Sequence, residues 1–319
     1  MRRVLLPVLG VVLIAFSLPL PASHAADAAQ RPRILGVAHM ALYVTDIGLS
    51  RRFYEGLLGY AESHTLKRPD GSDRIVFIKI NDDQFIELVT ELPKDAQNEG
   101  HLHHIGFYTD SAEGVRRYLA SRQVAVPETV AKTQNGNLIL NFKDPDGHGI
   151  EIVQYEPNSR TRQNKGKYLP DTRISTHIYH VGVTIGPLER AMDFYHGILG
   201  FNEFWRGSSS GKVLSWVNMR VPDGDDYLEF MLGSGPSDAK QLGVKNHICL
   251  VVPNLDDAVA KLQTRVAAAN YTQPIQIRTG VNGKRQANLF DPDGTRVELM
   301  EPQPASGKPV PSSTAPPPQ

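Results

Sequence analysis

The feature that most constrains the fold of this chain is a pairing of one histidine with one glutamate that occurs four times. The histidines are His39, His104, His180 and His247, and the glutamates that follow them are Glu87, Glu151, Glu229 and Glu298. The members of the four pairs are separated by 48, 47, 49 and 51 residues, a regularity that unrelated side chains would not keep. The chain is therefore predicted to contain four copies of one structural unit.

Longer motifs group the four units into two halves. Residues 39–60 and 180–201 share a histidine, an alternating strand pattern and the ending Phe-Tyr-x-Gly-x-Leu-Gly followed by an aromatic residue. The run Asp-Pro-Asp-Gly stands near the end of each half, at residues 144–147 and 291–294. Both runs lack the further oxygen ligands of a calcium-binding loop, so we interpret them as turns.

These motifs predict two domains of similar size. We place the first domain at residues 34–156 and the second at residues 176–302, joined by a polar linker at residues 157–175. The Pro- and Ser-rich segment 303–319 has almost no apolar side chains to bury, and we interpret it as a disordered tail.

The first 25 residues predict a secretory signal peptide. Arg2 and Arg3 provide positive charge, residues 4–20 form an apolar stretch, and Ser23-His24-Ala25 resembles a small-residue cleavage site. An uncleaved membrane anchor is the alternative, but Pro7 and Pro19 interrupt the apolar stretch and Pro21 follows it. We expect a periplasmic or secreted protein that does not insert into the membrane after cleavage.

Composition narrows the classes of partner. The chain has 34 Lys and Arg residues against 34 Asp and Glu residues, whereas nucleic-acid binding usually needs a basic stripe. An internal disulfide is excluded because Cys249 is the single cysteine, and its apolar strand suggests a core position. We expect a small-molecule substrate as the partner and a monomer or homodimer as the assembly.

Strand alternation predicts where the repeated side chains point. In the strand that begins at Val37, Met40 and Leu42 lie on one face and His39 lies on the other. The same alternation puts all eight His and Glu side chains on the face away from the helix of each unit. The predicted fold is therefore α+β, with four βαβββ modules paired into two domains around concave sheets.

A metal ion would satisfy these side chains. A carboxylate among apolar strand residues is costly to bury without a cation or donor, and two imidazoles with two carboxylates suit one divalent ion. The alternative, an ordinary core histidine and a solvated glutamate in each unit, would have to hold four times at fixed spacing.

His103 stands next to His104 and leaves open which of the two is the repeated histidine, although the apolar alternation that follows favours His104. The other histidines are interpreted as surface or loop residues: His24, His64, His101, His148, His177 and His196.

The combined motifs resemble the vicinal-oxygen-chelate superfamily, which includes glyoxalases, bleomycin resistance proteins and extradiol dioxygenases. The resemblance spans the chain between the signal peptide and the tail and implies two glyoxalase/dioxygenase-type domains. It also implies two metal-ligand sets, one of His39, Glu87, His104 and Glu151, the other of His180, Glu229, His247 and Glu298. Because four-module members sometimes pair their modules differently, ligands from the two halves could also mix.

The resemblance to extradiol dioxygenases is weaker in detail. Their iron typically uses two histidines and one glutamate, which match His180, His247 and Glu298 here. They usually carry a His and then a Tyr before the final turn, but residues 281–290 contain neither. Glu229 also fills a position that such enzymes leave empty. Both departures favour proton transfer over oxygen activation.

The resemblance therefore implies an exported, metal-dependent lyase or isomerase of glyoxalase type that acts on a small oxygenated molecule. In glyoxalases a metal-bound glutamate serves as the base, which corresponds to Glu151 or Glu298 here. The expected cofactor is a divalent metal ion: Ni, Co, Zn, Mn or Fe(II). The alternatives are an extradiol-type Fe(II) dioxygenase and a non-catalytic, resistance-type protein that binds a small molecule.

Overall fold

Sixteen strands form two curled sheets within residues 30–92, 100–233 and 239–318, which the computed structural model describes. The predicted signal peptide at residues 1–25 lies outside the described residues. Both sheets belong to one compact unit, Arg31–Gln319. No helix of the described ranges is long and apolar enough to cross a membrane.

The two sheets repeat one arrangement of eight strands. The first consists of β1 (Gly36–Tyr43), β2 (Ala61–Lys67), β3 (Asp73–Lys79), β4 (Phe85–Val89), β5 (Leu102–Tyr108), β6 (Ala131–Lys132), β7 (Leu138–Lys143) and β8 (Gly149–Gln154). The second consists of β9 (Ile178–Thr184), β10 (Asn202–Gly207), β11 (Trp216–Arg220), β12 (Tyr227–Met231), β13 (His247–Val251), β14 (Ile277–Thr279), β15 (Lys284–Phe290) and β16 (Arg296–Pro304).

The helices are short and follow the first strand of each unit or join the units. They are α1 (Ile47–Arg51), continued by a π-helical segment (Arg52–Leu57), α2 (Ala112–Ser121), α3 (Arg160–Gln163), α4 (Leu188–Met192), continued by a π-helical segment (Asp193–Ile198), α5 (Ala239–Lys245) and α6 (Leu255–Gln263). The side chain of Asp46 caps α1 by accepting from the backbone N–H of Leu49 at 3.0 Å. The two π-helical segments coincide with the repeated Phe-Tyr-x-Gly motif.

The first strands of consecutive units lie side by side at the centre of each sheet. The strand order is β2-β3-β4-β1-β5-β8-β7-β6 in the first sheet and β10-β11-β12-β9-β13-β16-β15-β14 in the second. β1 is antiparallel to β5 and parallel to β4, and β5 is parallel to β8. The predicted α+β architecture of four paired βαβββ modules is confirmed. Each site draws its strands from two consecutive modules, so the two halves do not mix ligands.

The two repeated motifs meet across the halves. The hydroxyl of Tyr54 donates to Asp291 at 3.0 Å, and the hydroxyl of Tyr195 donates to Asp144 at 2.9 Å. These tyrosines belong to the Phe-Tyr-x-Gly segments, and these aspartates begin the Asp-Pro-Asp-Gly turns. All four side chains are buried. The turns thus also join each half to the other.

A second polar contact joins the starts of the strands near the junction of the halves. Asp226 accepts from the backbone N–H of Val37 at 2.9 Å, from Gln84 at 3.1 Å and pairs with His177 at 2.7 Å. Gln84 also accepts from the backbone N–H of Ile178 at 2.8 Å. His177 lies in the loop before β9, as predicted, and its side chain is also part of this seam.

The C-terminal segment corrects the prediction of a disordered tail at residues 303–319. β16 continues to Pro304, and the residues after it run beside the edge strand β10. The contacts are Trp205 Nε1 to Val310 O at 3.2 Å, Ser313 N to Arg206 O at 2.9 Å and Leu214 N to Pro316 O at 2.8 Å. Proline lacks an N–H but keeps its carbonyl, so a proline-rich segment can accept hydrogen bonds at a sheet edge.

We expect Tyr54→Phe and Tyr195→Phe each to lower the free energy of unfolding by about 1.5–3 kcal/mol, because each removes one hydrogen-bond donor from a buried aspartate. Urea unfolding followed by circular dichroism measures the loss. Tyr168→Phe is the matched control, since Tyr168 is 47% exposed, and its effect should stay within about 0.5 kcal/mol. Losses no larger than that of the control would contradict the structural role of these contacts.

The His177–Asp226 pair predicts a pH dependence of stability. Its hydrogen bond to Asp226 raises the pKa of His177 above its ordinary value of 6.5. Protonated His177 therefore stabilises the folded state. This stabilisation is fully present below about pH 6.5, the unfolded-state pKa, and is lost as the pH rises through the raised pKa of the folded state. We expect His177→Gln to cost up to about 1 kcal/mol in acid, because the pair is partly solvated. Urea unfolding between about pH 5.5 and 8.5 should show the cost shrinking with pH, and a growing cost would contradict the assignment.

Candidate metal centres

Three neighbouring strands bring three of the four predicted residues of the first half together. His39 lies on β1, His104 on β5 and Glu151 on β8. The Nε2 atoms of the two histidines are 2.7 Å apart, and Glu151 Oε1 is 3.5 Å from Nε2 of His39. One donor atom from each of the three residues lies within 4.8 Å of the others. They form a cluster of two imidazoles and one carboxylate, which we call the first triad.

Glu87 lies beside the first triad rather than inside it. Its Oε1 atom is 3.5 Å from Nδ1 of His39, the ring nitrogen that points away from His104. The implied four-ligand set therefore differs in the first half, where the structure brings only three donors to one point. A carboxylate at the far nitrogen of a ligand histidine orients the ring, and Glu87 has this position.

Burial sets the protonation of the first triad. It lowers the pKa of His39 to about 3 and the pKa of His104 well below its ordinary value, so both imidazoles are neutral. It raises the pKa of Glu151 to about 8, although a hydrogen bond from Asn141 opposes the shift. Burial and the charge of Glu151 raise the pKa of Glu87 well above its ordinary value.

The donor chemistry of the first triad fits a divalent cation. Neutral imidazole is the form that binds metal, and the buried carboxylates are unfavourable as anions until a positive charge balances them. The far ring nitrogens also have partners: Glu87 at His39, and Nδ1 of His103 at 2.6 Å from Nδ1 of His104. His103 therefore supports His104, which is the member of the adjacent pair that faces the triad.

The second half brings all four of its predicted residues together. Donor atoms of His180, Glu229, His247 and Glu298 lie within 4.8 Å of one another, and we call them the second cluster. The two Nε2 atoms are 3.1 Å apart, and Glu298 Oε2 is 3.3 Å from Nε2 of His247. This donor set also has the composition of a divalent-metal site. However, Nδ1 of His180 is buried with no hydrogen-bond partner in the described part of the chain, unlike the two histidines of the first triad.

An arginine already supplies a positive charge to the second cluster. Nη2 of Arg296 is 2.8 Å from Nδ1 and 2.9 Å from Nε2 of His247. Burial acts to raise the pKa of Glu298, but hydrogen bonds from His180 and His247 and the Arg296 charge hold it well below its ordinary value. The aligned residue of the first half, two positions before Glu151, is Gly149. The first triad thus has no side chain at the position from which Arg296 reaches the second cluster.

The two sites differ greatly in the space beside them. A cavity of about 720 Å³ borders the first triad and Glu87. The corresponding cavity beside Glu229 and Glu298 has about 60 Å³. Its walls include Trp205 and Trp216, which align with His64 and Ile75 of the first half, together with Arg296. Only the first of these two cavities is large enough for a small organic molecule.

Two strand glycines that the sequence analysis did not single out make room for the histidines. A side chain at Gly106 on β5 would overlap the imidazole of His39, and one at Gly182 on β9 would overlap the imidazole of His247. An isolated glycine inside a strand pattern, two residues after a candidate ligand, is the sequence signal for such a close approach.

His64 differs from its interpretation as a surface or loop residue. It is buried on β2 and stacks on Phe77 with ring centroids 4.1 Å apart.

Comparisons with known proteins agree with this arrangement. A family model described as "Glyoxalase/Bleomycin resistance protein/Dioxygenase superfamily" matches residues 36–152 and 177–299. A curated relative, the uncharacterized protein YwbC of Bacillus subtilis, is 28% identical over 122 residues, which cover 37% of this chain and 96% of the relative.

Solved structures of the same fold include two dioxygenases and a glyoxalase. An extradiol ring-cleaving dioxygenase from B. fuscum has a TM-score of 0.63 at 18% identity, covering 94% of this chain and 78% of its own. The 2,3-dioxygenase LapB from Pseudomonas sp. KL28 has a TM-score of 0.63 at 15% identity, with coverages of 89% and 98%. The Mn(II)-bound glyoxalase from Novosphingobium aromaticivorans has a TM-score of 0.62 at 17% identity, with coverages of 89% and 86%. Such identities establish a shared fold.

The geometry predicts unequal roles for Glu87 and Glu151 in metal binding. We expect Glu151→Gln to weaken Mn(II) binding at least about 100-fold, because it alters a triad ligand. Glu87→Gln should weaken binding about tenfold or less, since its amide oxygen can still accept from Nδ1 of His39. Calorimetric titration with Mn(II) measures both affinities. Every protein in the comparison, including the reference, also carries Glu298→Gln to weaken metal binding at the second cluster. Equal losses would show that Glu87 binds the ion directly.

Proposed function

Because the chain belongs to the Glyoxalase/Bleomycin resistance protein/Dioxygenase superfamily, we propose that it is a metal-dependent enzyme whose reaction takes place in the first domain. The reaction class is proton transfer of the glyoxalase or isomerase type on a small oxygenated substrate. One observation carries the proposal: the first triad opens onto a cavity of about 720 Å³ that contains the additional carboxylate of Glu87. The cavity provides room for a substrate, and Glu87 provides a proton carrier.

His39, His104 and Glu151 hold the metal ion in this proposal. A bound divalent ion polarises a substrate oxygen and so makes the neighbouring C–H group more acidic. Glu87 removes a proton from this carbon and returns it to a neighbouring position. Glu151 was the expected base by analogy with glyoxalases, but its place in the triad favours the role of ligand.

The second domain has a structural role in this proposal. Glu298, the other expected base, lies in the second cluster beside a cavity of about 60 Å³. Its carboxylate is held as an anion by the hydrogen bonds from His180 and His247 and by Arg296. A group that stays ionised is a poor proton carrier near neutral pH.

A ring-cleaving Fe(II) dioxygenase is the second candidate, because two histidines and one carboxylate with open positions are the usual ligands of non-haem iron oxygenases. The first triad has this composition. The residues that match dioxygenase ligands by position, His180, His247 and Glu298, lie instead in the second cluster, of which Glu298 lines the smaller cavity. Oxygen uptake with catechols in the presence of Fe(II), without carbon–hydrogen exchange, would favour this candidate.

A non-catalytic role would be favoured if the purified protein bound small molecules but no divalent metal.

We also propose that the protein is exported to the periplasm or secreted. The Arg2-Arg3 start, the apolar residues 4–20 and the Ser23-His24-Ala25 site support this proposal. N-terminal sequencing of the protein from separated cell fractions tests it. The expected result is a mature chain that begins after Ala25, and an intact N-terminus in the cytoplasmic fraction would contradict export.

The central experiment screens the metal-loaded protein for carbon–hydrogen exchange. Hydroxy-ketones and thiol adducts of oxoaldehydes are incubated in D₂O with Mn, Ni, Co, Zn or Fe(II), and deuterium incorporation is followed by NMR. With a substrate found in this way, we expect Glu87→Gln to lower kcat by about 100- to 10,000-fold while the metal stays bound.

Glu229→Gln is the matched control, because Glu229 occupies the position of Glu87 in the second half. It should change kcat by less than about threefold, as expected for a residue remote from the reaction. The opposite result, a large loss with Glu229→Gln and a small one with Glu87→Gln, would place the reaction in the second domain.

A further inference from the structure

Three cationic side chains line the cavity of the first domain: Arg74, Lys132 and Lys143. Arg74 is partly buried, and the two lysines are exposed. None of the three has a salt-bridge partner among the residues that the structure describes. We call them the cationic rim. Buried or half-buried guanidinium groups usually pair with an anion, so an unpaired one beside a cavity points to a ligand that carries negative charge.

The same cavity also has an apolar wall. Leu66, Phe77 and Phe85 form a small hydrophobic cluster of their own, with Ile75 packed against it, and all four line the cavity. This apolar wall comes from β2, β3 and β4 of the first module. Arg74 also lies on β3, next to Ile75, whereas Lys132 lies on β6 and Lys143 on β7 of the second module. A ligand in this cavity therefore meets both apolar side chains and positive charge.

The charge balance of the cavity remains positive when the metal site is filled. Its carboxylates, among the described lining residues, are Glu87 and Glu151. A divalent cation at the first triad would balance these two charges and leave the cationic rim without a counterion. The rim is also specific to the open half, because Ser215 and Phe290 stand in the second half at the positions of Arg74 and Lys143.

We propose that the first domain selects an amphipathic organic anion, a small molecule with an apolar body and one acidic head group. The apolar wall takes the body, and the cationic rim takes the head group. This inference rests on the proposed function, because it names the substrate class of the same site. It makes Arg74, Lys132 and Lys143 specificity residues that do not take part in proton transfer.

A matched pair of probes tests the proposal without knowledge of the substrate. Anilinonaphthalene sulfonate carries an acidic group on an apolar body, and N-phenylnaphthylamine is the same body without the charge. Both are titrated by fluorescence against the full-length protein, with and without Mn(II). We expect the sulfonate to bind at least about tenfold more tightly than the neutral probe, with an affinity that falls as salt is added.

Substitution of the rim locates the effect. The triple variant Arg74→Gln, Lys132→Gln, Lys143→Gln should weaken the sulfonate about tenfold and the neutral probe less than twofold. The control triple variant Lys212→Gln, Lys261→Gln, Lys308→Gln removes the same charge from exposed positions outside the cavity lining and should leave both affinities unchanged. Equal binding of the two probes, equal weakening by both triple variants, or no binding of either probe would overturn the proposal.

The two proposals can fail independently. Probe binding measures charge selection and needs no turnover, whereas the effect of Glu87→Gln on kcat measures the reaction. If the protein prefers the anionic probe but shows no carbon–hydrogen exchange, the proposed function alone is overturned. Exchange activity in a protein that prefers the neutral probe would overturn the present inference alone.

Discussion

The pairing of β1 with β5, and of β9 with β13, is the constraint on which the rest of the structure depends. Each of these strands carries one histidine of the four repeated pairs, and each is parallel to the strand of its own module that carries the glutamate. Because side chains of neighbouring strands in register share a face, the pairing collects two imidazoles and two carboxylates on one face of each sheet. The spacing of about 48 residues within the sequence is the chain length that one βαβββ module needs to return to its first strand.

The same pairing leaves the two halves free to differ in what surrounds the ligands. The position two residues before the final glutamate of each half lies on the same face of the strand as that glutamate. It is occupied by Gly149 in the first half and by Arg296 in the second. Gly149 leaves the first triad open to a large cavity, whereas Arg296 contacts His247 and brings a permanent cation to the second cluster. A single strand position thus separates a site that needs an external cation from one that contains its own.

The sequence predicted the features that depend on periodicity and local chemistry. Alternation in the strand containing His39 correctly separated the core residues Met40 and Leu42 from the site, and the spacing predicted four modules. Features that depend on contacts between distant segments could not be predicted in this way. The separation of Glu87 from the first triad depends on which edge of the His39 ring faces it, and the course of the tail depends on an unpaired edge of β10.

The closed second half also positions the open site. Asp226, at the start of β12, binds the backbone N–H of Val37, two residues before His39 on β1. It also accepts from Nε2 of Gln84, which stands three residues before Glu87 and whose Oε1 accepts from the backbone N–H of Ile178 on β9. The strands that carry a triad ligand and its neighbouring carboxylate are therefore held from the second half. Removing the second domain would therefore release both strands of the first site from a buried, hydrogen-bonded partner.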